Sequence, residues 1–396
     1  MSPRLLHAVL VVLAAVVSAA ASAPVAQSQD LAVHIDSLSA FDYATRTTAA
    51  RVLRRAPAAE AVPALVAAAR GHADQFVRYR ALVIVTSFDA GETSDLMRAL
   101  LGDRNDRVRE VVYRWLERHP DPALRPTLLA ALETEQADFV RPALVRAIAA
   151  LPAGDLVQRV LINEVGRGFD FFRGAVIEVL GERRARYAVD AIAAVAALDG
   201  PLQDDAVLAL GRIGDTRALK VLGSLEKPAP AVAPAIRAAE CLLALPQAQG
   251  DPVLRQGGDG CASQIDRLAG EAHDSNARSE TVRAALSALT ALAEDHPAAR
   301  VALLQLAGVG TLRGEAAIAL SAVALRRPDD TFAWLAGLAD EKRTLGIALL
   351  REGFERLEED FAEEQFFAAA RAAYWMADEG SIARHVTAAL IDRLGF

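Results

Sequence analysis

Residues 170–225 read DFFRGAVIEVLGERRARYAVDAIAAVAALDGPLQDDAVLALGRIGDTRALKVLGSL, and this stretch decides the fold. Apolar residues recur at intervals of three and four positions in two successive segments, 172–180 and 188–198, and the cycle restarts at Leu202. This spacing predicts two amphipathic helices separated by a short break. Neither helix is long enough to bury its apolar face alone, so we expect each helical pair to stack on the next.

The composition favours the same architecture throughout the 396 residues. Apolar residues make up 53% of the chain, alanine, leucine and valine dominate, and aromatic residues account for only 5%. Small apolar side chains suit close packing between helices, and alanine has the highest helix propensity. Because strand-forming residues are scarce and rarely alternate with polar ones, the sequence predicts an all-α fold.

One short motif recurs along the chain: an apolar or small residue followed, in most copies, by arginine. Its second position falls at residues 46, 78, 109, 141, 173, 203, 233, 283, 313, 343 and, weakly, 371. The steps are 28 to 32 residues except for one of 50, which indicates an insertion. Pro57, Pro120 and Pro152 each follow the motif by eleven residues, where a proline ends a helix or opens the next one. The sequence therefore predicts about ten or eleven helix-turn-helix repeats.

Two stretches carry the clearest copies of the repeat, residues 140–148 and residues 202–222 with GRIGDTRAL at 211–219. They resemble the short HEAT repeats of the phycobilisome-lyase-like kind, in which V-R-x-x-A-A-x-A-L is followed by G-D-P-R-A-V-P-A-L. The resemblance covers residues 38–394 with a gap near 246–262, and it implies an armadillo-like α-solenoid that winds as a right-handed superhelix. It also implies that the motif arginines join a ladder of aspartates between neighbouring repeats.

The chain divides by composition into four segments. Residues 1–26 have the pattern of a secretory signal peptide, with Arg4 before an apolar run at 8–17 and small residues after it, and cleavage falls between 21 and 26. Repeats follow at 31–245, an irregular segment at 246–262, and further repeats with capping helices at 263–396. We therefore expect a soluble exported protein, periplasmic or secreted, with no transmembrane segment in the mature chain. An uncleaved membrane anchor is the alternative, which the shortness of the apolar run disfavours.

The chain contains two cysteines, Cys241 and Cys261. An exported protein meets an oxidising compartment, so an even pair of cysteines favours a disulfide. In the alternative interpretation, Cys241 packs as a small apolar residue and Cys261 remains a free thiol.

The sequence argues against several classes of function. The net charge of −8 argues against nucleic acid as a partner, because broad nucleic-acid binding needs a basic face. The chain has no H-E-x-x-H motif, no G-x-S-x-G elbow, no phosphate-binding loop and no His-Glu dipeptide. We therefore predict neither a catalytic site, nor a metal site, nor a cofactor.

An open solenoid exposes an extended surface, so the leading hypothesis is a scaffold that binds a protein or peptide along its concave face. The alternatives are a lyase- or glycosylase-like enzyme built on the repeats and an accessory subunit of a cell-envelope complex. In HEAT-like solenoids the second helix of each repeat lines the concave face. The candidate contacts are therefore exposed positions of those helices: Arg98, Arg125, Gln158, Arg159, Tyr187, Arg217, Lys220, Gln305 and Trp334.

Overall fold

The computed structural model describes residues 31–88, 91–225, 228–244, 260–274, 277–357 and 359–394. Regular structure in these ranges is entirely helical, and no strand occurs in them. The prediction of an all-α solenoid is confirmed. The signal peptide at 1–26 and most of the segment at 246–262 lie outside the described residues, so what we expect of them stays a prediction.

The helices alternate between two sets along the chain. Residues 31–36 form α1, and a 3-10 turn follows it at Ser37–Ser39. The first helix of each repeat, called the first helix below, begins at or near the motif: α2 (Tyr43–Arg55), α4 (Gln75–Val85), α6 (Asp106–Arg118), α8 (Arg141–Ala150), α10 (Asp170–Glu182), α12 (Gln203–Ile213), α14 (Ala233–Leu243), α16 (Ser279–Ala293), α18 (Arg313–Arg326) and α20 (Asp340–Leu357).

The second helix of each repeat follows after a short connection. These second helices are α3 (Ala58–Gly71), α5 (Gly91–Leu100), α7 (Arg125–Thr134), α9 (Asp155–Glu164), α11 (Val189–Ala196), α13 (Arg217–Ser224), α15 (Gly260–His273), α17 (Pro297–Leu306), α19 (Pro328–Gly337) and α21 (Asp360–Met376). The last described helix is α22 (Ile382–Arg393). This succession of hairpins agrees with the resemblance to HEAT repeats.

Local sequence signals set several helix ends. Asp42 precedes α2, and its carboxylate accepts a 2.7 Å hydrogen bond from the amide of Thr45. Asp74 caps α4 in the same way. Such capping satisfies amides that have no partner within the helix. Gly214 ends α12 with φ of 69°, a left-handed conformation that glycine adopts without strain.

Some of the motif arginines tie a first helix to the helix before it. Arg173 donates through Nε to the carbonyl of Val165, directly after α9, at 3.0 Å. Arg343 makes the equivalent bond to the carbonyl of Leu335 in α19, at 3.1 Å. These carbonyls lie at helix C-termini, where they lack partners within the helix and favour a positive charge. The role of Arg173 and Arg343 is therefore structural.

The aspartate ladder implied by the resemblance takes a different form. Arg78 pairs with Asp103, which follows α5, and Arg141 lies 3.8 Å from the carboxylate of Glu164 in α9. In both cases the acid comes from the end of the following second helix, whereas Arg173 and Arg343 pair with the aspartates that precede them, Asp170 and Asp340. Those preceding aspartates act at helix N-termini, where their charge is favourable.

Neighbouring first helices approach closely where both present small residues. A Cβ atom built on Gly181 of α10 would lie 2.9 Å from the Cα of Ala209 in α12. A Cβ atom on Gly211 of α12 would lie 2.5 Å from the Cα of Ala239 in α14. Real Cβ atoms do not come so close to backbone, so these contacts require glycine. The resulting stack is dense and has little room for larger side chains.

The 50-residue step is explained by an insertion inside one hairpin. It separates α14, which ends at Leu243, from α15, which begins at Gly260. Cys261, which we expected in the irregular segment, lies in the first turn of α15. The weak motif copy at Arg371 lies inside α21 and does not mark the start of a helix.

The chain forms two compact units, and the boundary between them lies at Val111 and Val112, within α6. The described part of the first unit contains the hairpin of α2 and α3, followed by α4 and α5. The second unit contains the helices from α7 to α22, in which α8, α10, α12, α14, α16, α18 and α20 contact one another in that order.

Candidate functional site

The second unit contains a cavity of about 660 Å³, called the hollow below. Four first helices line it: α10, α12, α16 and α18. The helix α14 contacts both α12 and α16, so it connects the two walls. The hollow is therefore formed by first helices that face one another across the turn of the stack.

The four lining helices run in the same direction. Each contributes a charged residue to one end of the hollow, and these residues all lie near the C-termini of their helices: Glu178 and Glu182 in α10, Arg212 in α12, Glu294 after α16, and Arg326 in α18. The N-termini of the helices therefore lie at the opposite end. We call Arg146, Glu178, Glu182, Arg212, Glu294 and Arg326 together the charged ring.

Arg326 is the central member of the charged ring. It donates hydrogen bonds to Glu178 at 2.5 Å, to Glu182 at 2.6 Å and to Glu294 at 3.2 Å. Its partners belong to α10 and to the end of α16, so one side chain joins both walls of the hollow. Hydrogen bonds between ionised groups are the stronger kind in proteins.

Two further arginines complete the ring. Arg146 from α8 donates to Glu182 at 2.5 Å and to Glu178 at 2.8 Å. Arg212 donates to Glu294 at 2.9 Å. The ring thus contains as many guanidiniums as carboxylates, and each charge faces one or more opposite charges.

These pairs fix the ionisation of the ring. Burial raises the pKa of the Glu178 carboxyl, but the charges of Arg326 and Arg146 outweigh it and lower that pKa to about 2. Burial likewise opposes the charge of Arg326, and the surrounding glutamates reverse this and raise its pKa. Glu178 and Arg326 are therefore both ionised at neutral pH.

The middle of the hollow has apolar walls. Leu202, which precedes α12, and Leu208 of α12 line the hollow from one wall, and Leu286 of α16 and Ile318 of α18 line it from the other. Leu208 and Ile318 are half-buried, so part of their apolar surface remains accessible inside the hollow. A ligand that covers this surface would gain hydrophobic free energy.

The N-terminal end of the hollow has charged side chains that lack an opposite charge among the described residues. Asp205 of α12 and Glu315 of α18 make no hydrogen bond or ion pair with any described residue. Arg283 of α16 donates only a 3.5 Å hydrogen bond, to the carbonyl of Ser279, within the described part of the chain. Asp170 of α10 differs, because it pairs with Arg173 at 2.9 Å.

Asp205 is the unusual group among these. Its side chain is accessible to solvent within the hollow, but surrounding protein atoms displace much of its hydration. This desolvation, together with the negative charges of Asp204 and Glu178, raises the pKa of Asp205 to about 6. A carboxyl group with a perturbed pKa in a cavity is a candidate functional group.

None of the sequence-predicted contact residues lines the hollow. Arg98 lies on α5, Arg125 on α7, Gln158 and Arg159 on α9, Tyr187 beside α11, Arg217 and Lys220 on α13, Gln305 on α17, and Trp334 on α19. The second helices, which we expected to carry the contacts, do not line this cavity. Small residues such as Gly181 and Gly211 let neighbouring first helices approach one another closely.

The predicted residues are also spread over separate second helices. Arg217 donates to Asp190 at 3.1 Å and to the carbonyl of Arg186 at 2.7 Å, so it clamps α13 to the preceding repeat. Lys220 and Arg159 are exposed on different helices. Burial raises the pKa of the half-buried Tyr187. Arg217 therefore stabilises the packing of α13 against the preceding repeat. Contact of the other predicted residues with a partner stays a prediction.

The structure joins Cys241 and Cys261 in a disulfide, with their Cα atoms 4.8 Å apart. Both residues are buried. The bond connects α14 to the first turn of α15 and spans the insertion. Since α14 also links the two walls of the hollow, the disulfide lies next to the wall contributed by α16.

The described residues contain no group of three or more histidine, cysteine, aspartate or glutamate side chains placed to hold a metal ion. No helix within the described ranges combines the length and apolarity that crossing a membrane requires.

Comparisons with known proteins give a fold-level likeness. No family profile and no curated protein matches the sequence. Among solved structures, yeast importin-beta (Kap95p) has a TM-score of 0.43 at 14% identity, over 94% of this chain and 58% of that one. Kap121p has a TM-score of 0.33 at 15% identity, over 93% and 36%. UNC-45 from Drosophila melanogaster has a TM-score of 0.28 at 13% identity, over 92% and 57%.

This chain thus spans 36–58% of the length of the structures it matches. The assignment of the fold therefore depends on the order and packing of the helices in this chain. The chain is a helical-repeat solenoid.

The residues of the hollow were not among the contact residues predicted from the sequence, although one sequence signal for them exists. Asp205, Leu208 and Arg212 recur at steps of three and four along α12, which places them on one helical face. That face carries charge at both ends and apolar residues between. The helices α16 and α18 repeat this pattern, with Arg283 and Glu315 at their N-terminal ends.

Proposed function

We propose that this protein is a non-catalytic scaffold that binds a polypeptide, and that the hollow of the second unit is part of the binding surface. The observation that carries the proposal is a 660 Å³ cavity with accessible apolar walls and uncompensated charges at one end. Cavities of this size and character hold ligands in many proteins. The charged ring supports the cavity, since its own groups are already paired.

Exposed aromatic residues favour a polypeptide over a small molecule. Phe171 lines the hollow with 68% of its surface exposed, and Phe169 beside it is 79% exposed. Phe139, at the repeat position equivalent to Phe171, is 42% exposed. Exposed aromatic surface therefore occurs both in the hollow and in the preceding repeat, outside the cavity that a small ligand would fill. Accessible aromatic groups of this kind mark protein-interaction surfaces.

Site-specific photocrosslinking tests the proposal. A benzophenone amino acid replaces Ser287, an exposed residue of α16 inside the hollow, or Arg159, an exposed residue of α9 outside it. We expect Ser287 to crosslink to a polypeptide in cells and Arg159 to give little product. Crosslinks from Arg159 alone would support the second-helix surface predicted from the sequence. No polypeptide adduct at either position would overturn the scaffold proposal.

An enzymatic function is the second candidate, because Asp205 has a pKa near neutrality in a cavity. A lyase- or glycosylase-like reaction would need a second reactive group beside it. The carboxylates of the charged ring are neutralised by arginines, which leaves Glu315 as the other carboxylate of the hollow without a partner in the described chain. Binding explains these groups without a reaction, and so we prefer it.

We also propose that the protein is exported to the periplasm or secreted. The support is the sequence pattern of residues 1–26 together with the pairing of Cys241 and Cys261, since disulfides persist in oxidising compartments. Cell fractionation followed by N-terminal sequencing tests the proposal. We expect a mature chain that begins between residues 22 and 27, outside the cytosol. A cytosolic chain with both thiols free would contradict it.

A further inference from the structure

The ligand class of the hollow follows from its charge distribution. Five carboxylates and three guanidiniums line it, namely Asp170, Glu178, Asp205, Glu294 and Glu315 against Arg212, Arg283 and Arg326. The guanidiniums of Arg212 and Arg326 are occupied by the glutamates of the charged ring. An anionic ligand would therefore find Arg283 as the remaining positive charge of the lining.

A cationic ligand finds a better match at the N-terminal end. Asp205 and Glu315 lie on opposite walls, at α12 and α18, and neither is paired within the described residues. Asp204, next to Asp205, adds negative charge, as its effect on Asp205 shows. The Asp170–Arg173 pair is neutral as a whole. The uncompensated charge at this end is therefore negative, even with Arg283 included.

The apolar walls restrict which cation fits. A small inorganic cation would leave the exposed surface of Leu208 and Ile318 in contact with water. A lysine or arginine side chain combines an aliphatic stem, which can cover apolar surface, with a charged head. Its stem would lie against these walls and its head would reach a carboxylate.

We propose that the hollow recognises a lysine or arginine side chain of the bound polypeptide, with Asp205 as the principal acceptor and Glu315 as a second carboxylate. The inference rests on the polypeptide binding proposed above. Asp205 faces no competing partner among the residues that the structure describes, so a bound cationic head would pair with it without breaking any contact seen there. Such pairing gives specificity for charge as well as affinity.

Defined peptide mixtures test this inference. Acetylated and amidated fluorescent nonapeptides carry lysine, arginine, norleucine or glutamate at the centre, with flanking positions randomised among alanine, leucine, serine and phenylalanine. Binding to the full chain is measured by fluorescence anisotropy at pH 7.5. Norleucine matches the lysine stem without the charge, so the comparison isolates the contribution of the charged head.

We expect basic-centred mixtures to bind the wild-type protein about tenfold more tightly than norleucine-centred ones. Asp205→Asn should remove most of this preference, and Glu315→Gln should reduce it. The matched control is Asp155→Asn, an exposed aspartate at the start of α9 and outside the hollow, which should keep the full preference. Thermal melts of all variants establish that they fold.

Two outcomes separate failure of this inference from failure of the proposed function. Equal binding of lysine- and norleucine-centred mixtures, or an unchanged preference in Asp205→Asn, overturns the inference while polypeptide binding stands. Tighter binding of glutamate-centred mixtures overturns it as well. Absence of binding by every mixture overturns the inference. It overturns the scaffold proposal as well when neither Ser287 nor Arg159 crosslinks to a polypeptide. A reversed preference for glutamate in Asp205→Lys would confirm the contact directly.

Discussion

Arg326 on α18 donates a 2.6 Å hydrogen bond to Glu182 on α10, although 144 residues separate them in the chain. The same guanidinium bonds to Glu178 and Glu294. One side chain therefore connects walls of the hollow that are distant in sequence. Local helix packing sets the curvature of the stack, and this long-range contact fixes how far the two walls stand apart.

Arg326→Gln should destabilise the second unit by about 2 kcal/mol, because it leaves ionised glutamates without their partner. Denaturant unfolding measures the change. The matched control is Arg351→Gln, which breaks a 3.0 Å pair with Glu355 between side chains that are 61% and 60% exposed. That loss should cost less than about 0.5 kcal/mol. Equal effects of the two substitutions would contradict a special role for the charged ring.

Asp205→Asn should stabilise the protein at pH 7.5 and have no such effect at pH 4. The folded-state pKa of Asp205 is raised to about 6 from an ordinary value of 3.8, so its stability contribution is complete below pH 3.8 and is lost as pH rises through 6. After allowance for solvent screening, we expect a gain on the order of 1 kcal/mol at pH 7.5.

Thermal melts across this pH range measure the Asp205 effect, and a gain of the same size at pH 4 and pH 7.5 would refute it. Several other charged groups face Asp205 or line the same hollow. On its own helix these are Asp204 and Arg212, and on the other walls they are Asp170, Glu178, Arg283, Glu294, Glu315 and Arg326.

Gly211→Ala should destabilise the protein by about 2 kcal/mol, because the new methyl group would overlap the backbone of Ala239 and push α12 from α14. Gly223→Ala in α13 is the control, since nothing lies within 4 Å of its Cβ position. That substitution should be neutral or stabilising by up to about 1 kcal/mol, as expected for glycine to alanine in a helix. Denaturant midpoints of the two variants distinguish these outcomes.

Reduction of the Cys241–Cys261 disulfide should lower the stability of the oxidised protein by about 3 kcal/mol, on the chain-entropy estimate for a loop of this length. The comparison is between melts with and without a reductant. The double variant Cys241→Ala with Cys261→Ala should melt at the lower temperature under both conditions. An identical melting temperature for the oxidised and reduced wild-type protein would show that the bond contributes nothing.

The helical repeat was predictable because its signals are local. The motif positions 141, 203 and 313 coincide with the first residues of α8, α12 and α18. Apolar spacing, capping aspartates and prolines each act within a few residues, so one sequence contains enough information to place them. The insertion was predictable for the same reason, because one step of 50 residues interrupts the regular spacing of the motif.

The hollow was not predictable in the same way. Which layer of a solenoid becomes concave depends on the spacing between successive helices, and this spacing depends on contacts such as Gly181 against Ala209. The partnership of Arg326 with Glu178 is set by the accumulated rotation of several repeats. No local sequence pattern indicates this accumulated rotation. Our candidate contacts were therefore assigned to the second helices, and the cavity was not predicted.

The disulfide between Cys241 and Cys261 closes the chain between α14 and α15 into a covalent loop. If a protease cut the backbone once between Ala244 and Gly260, the two fragments would remain attached through the paired sulfurs. The nicked molecule would migrate as a full-length species without a thiol reagent and as two pieces with one. Helices on both sides of the cut would thus stay tethered, and the walls of the ligand cavity would keep a common anchor after the chain has been broken.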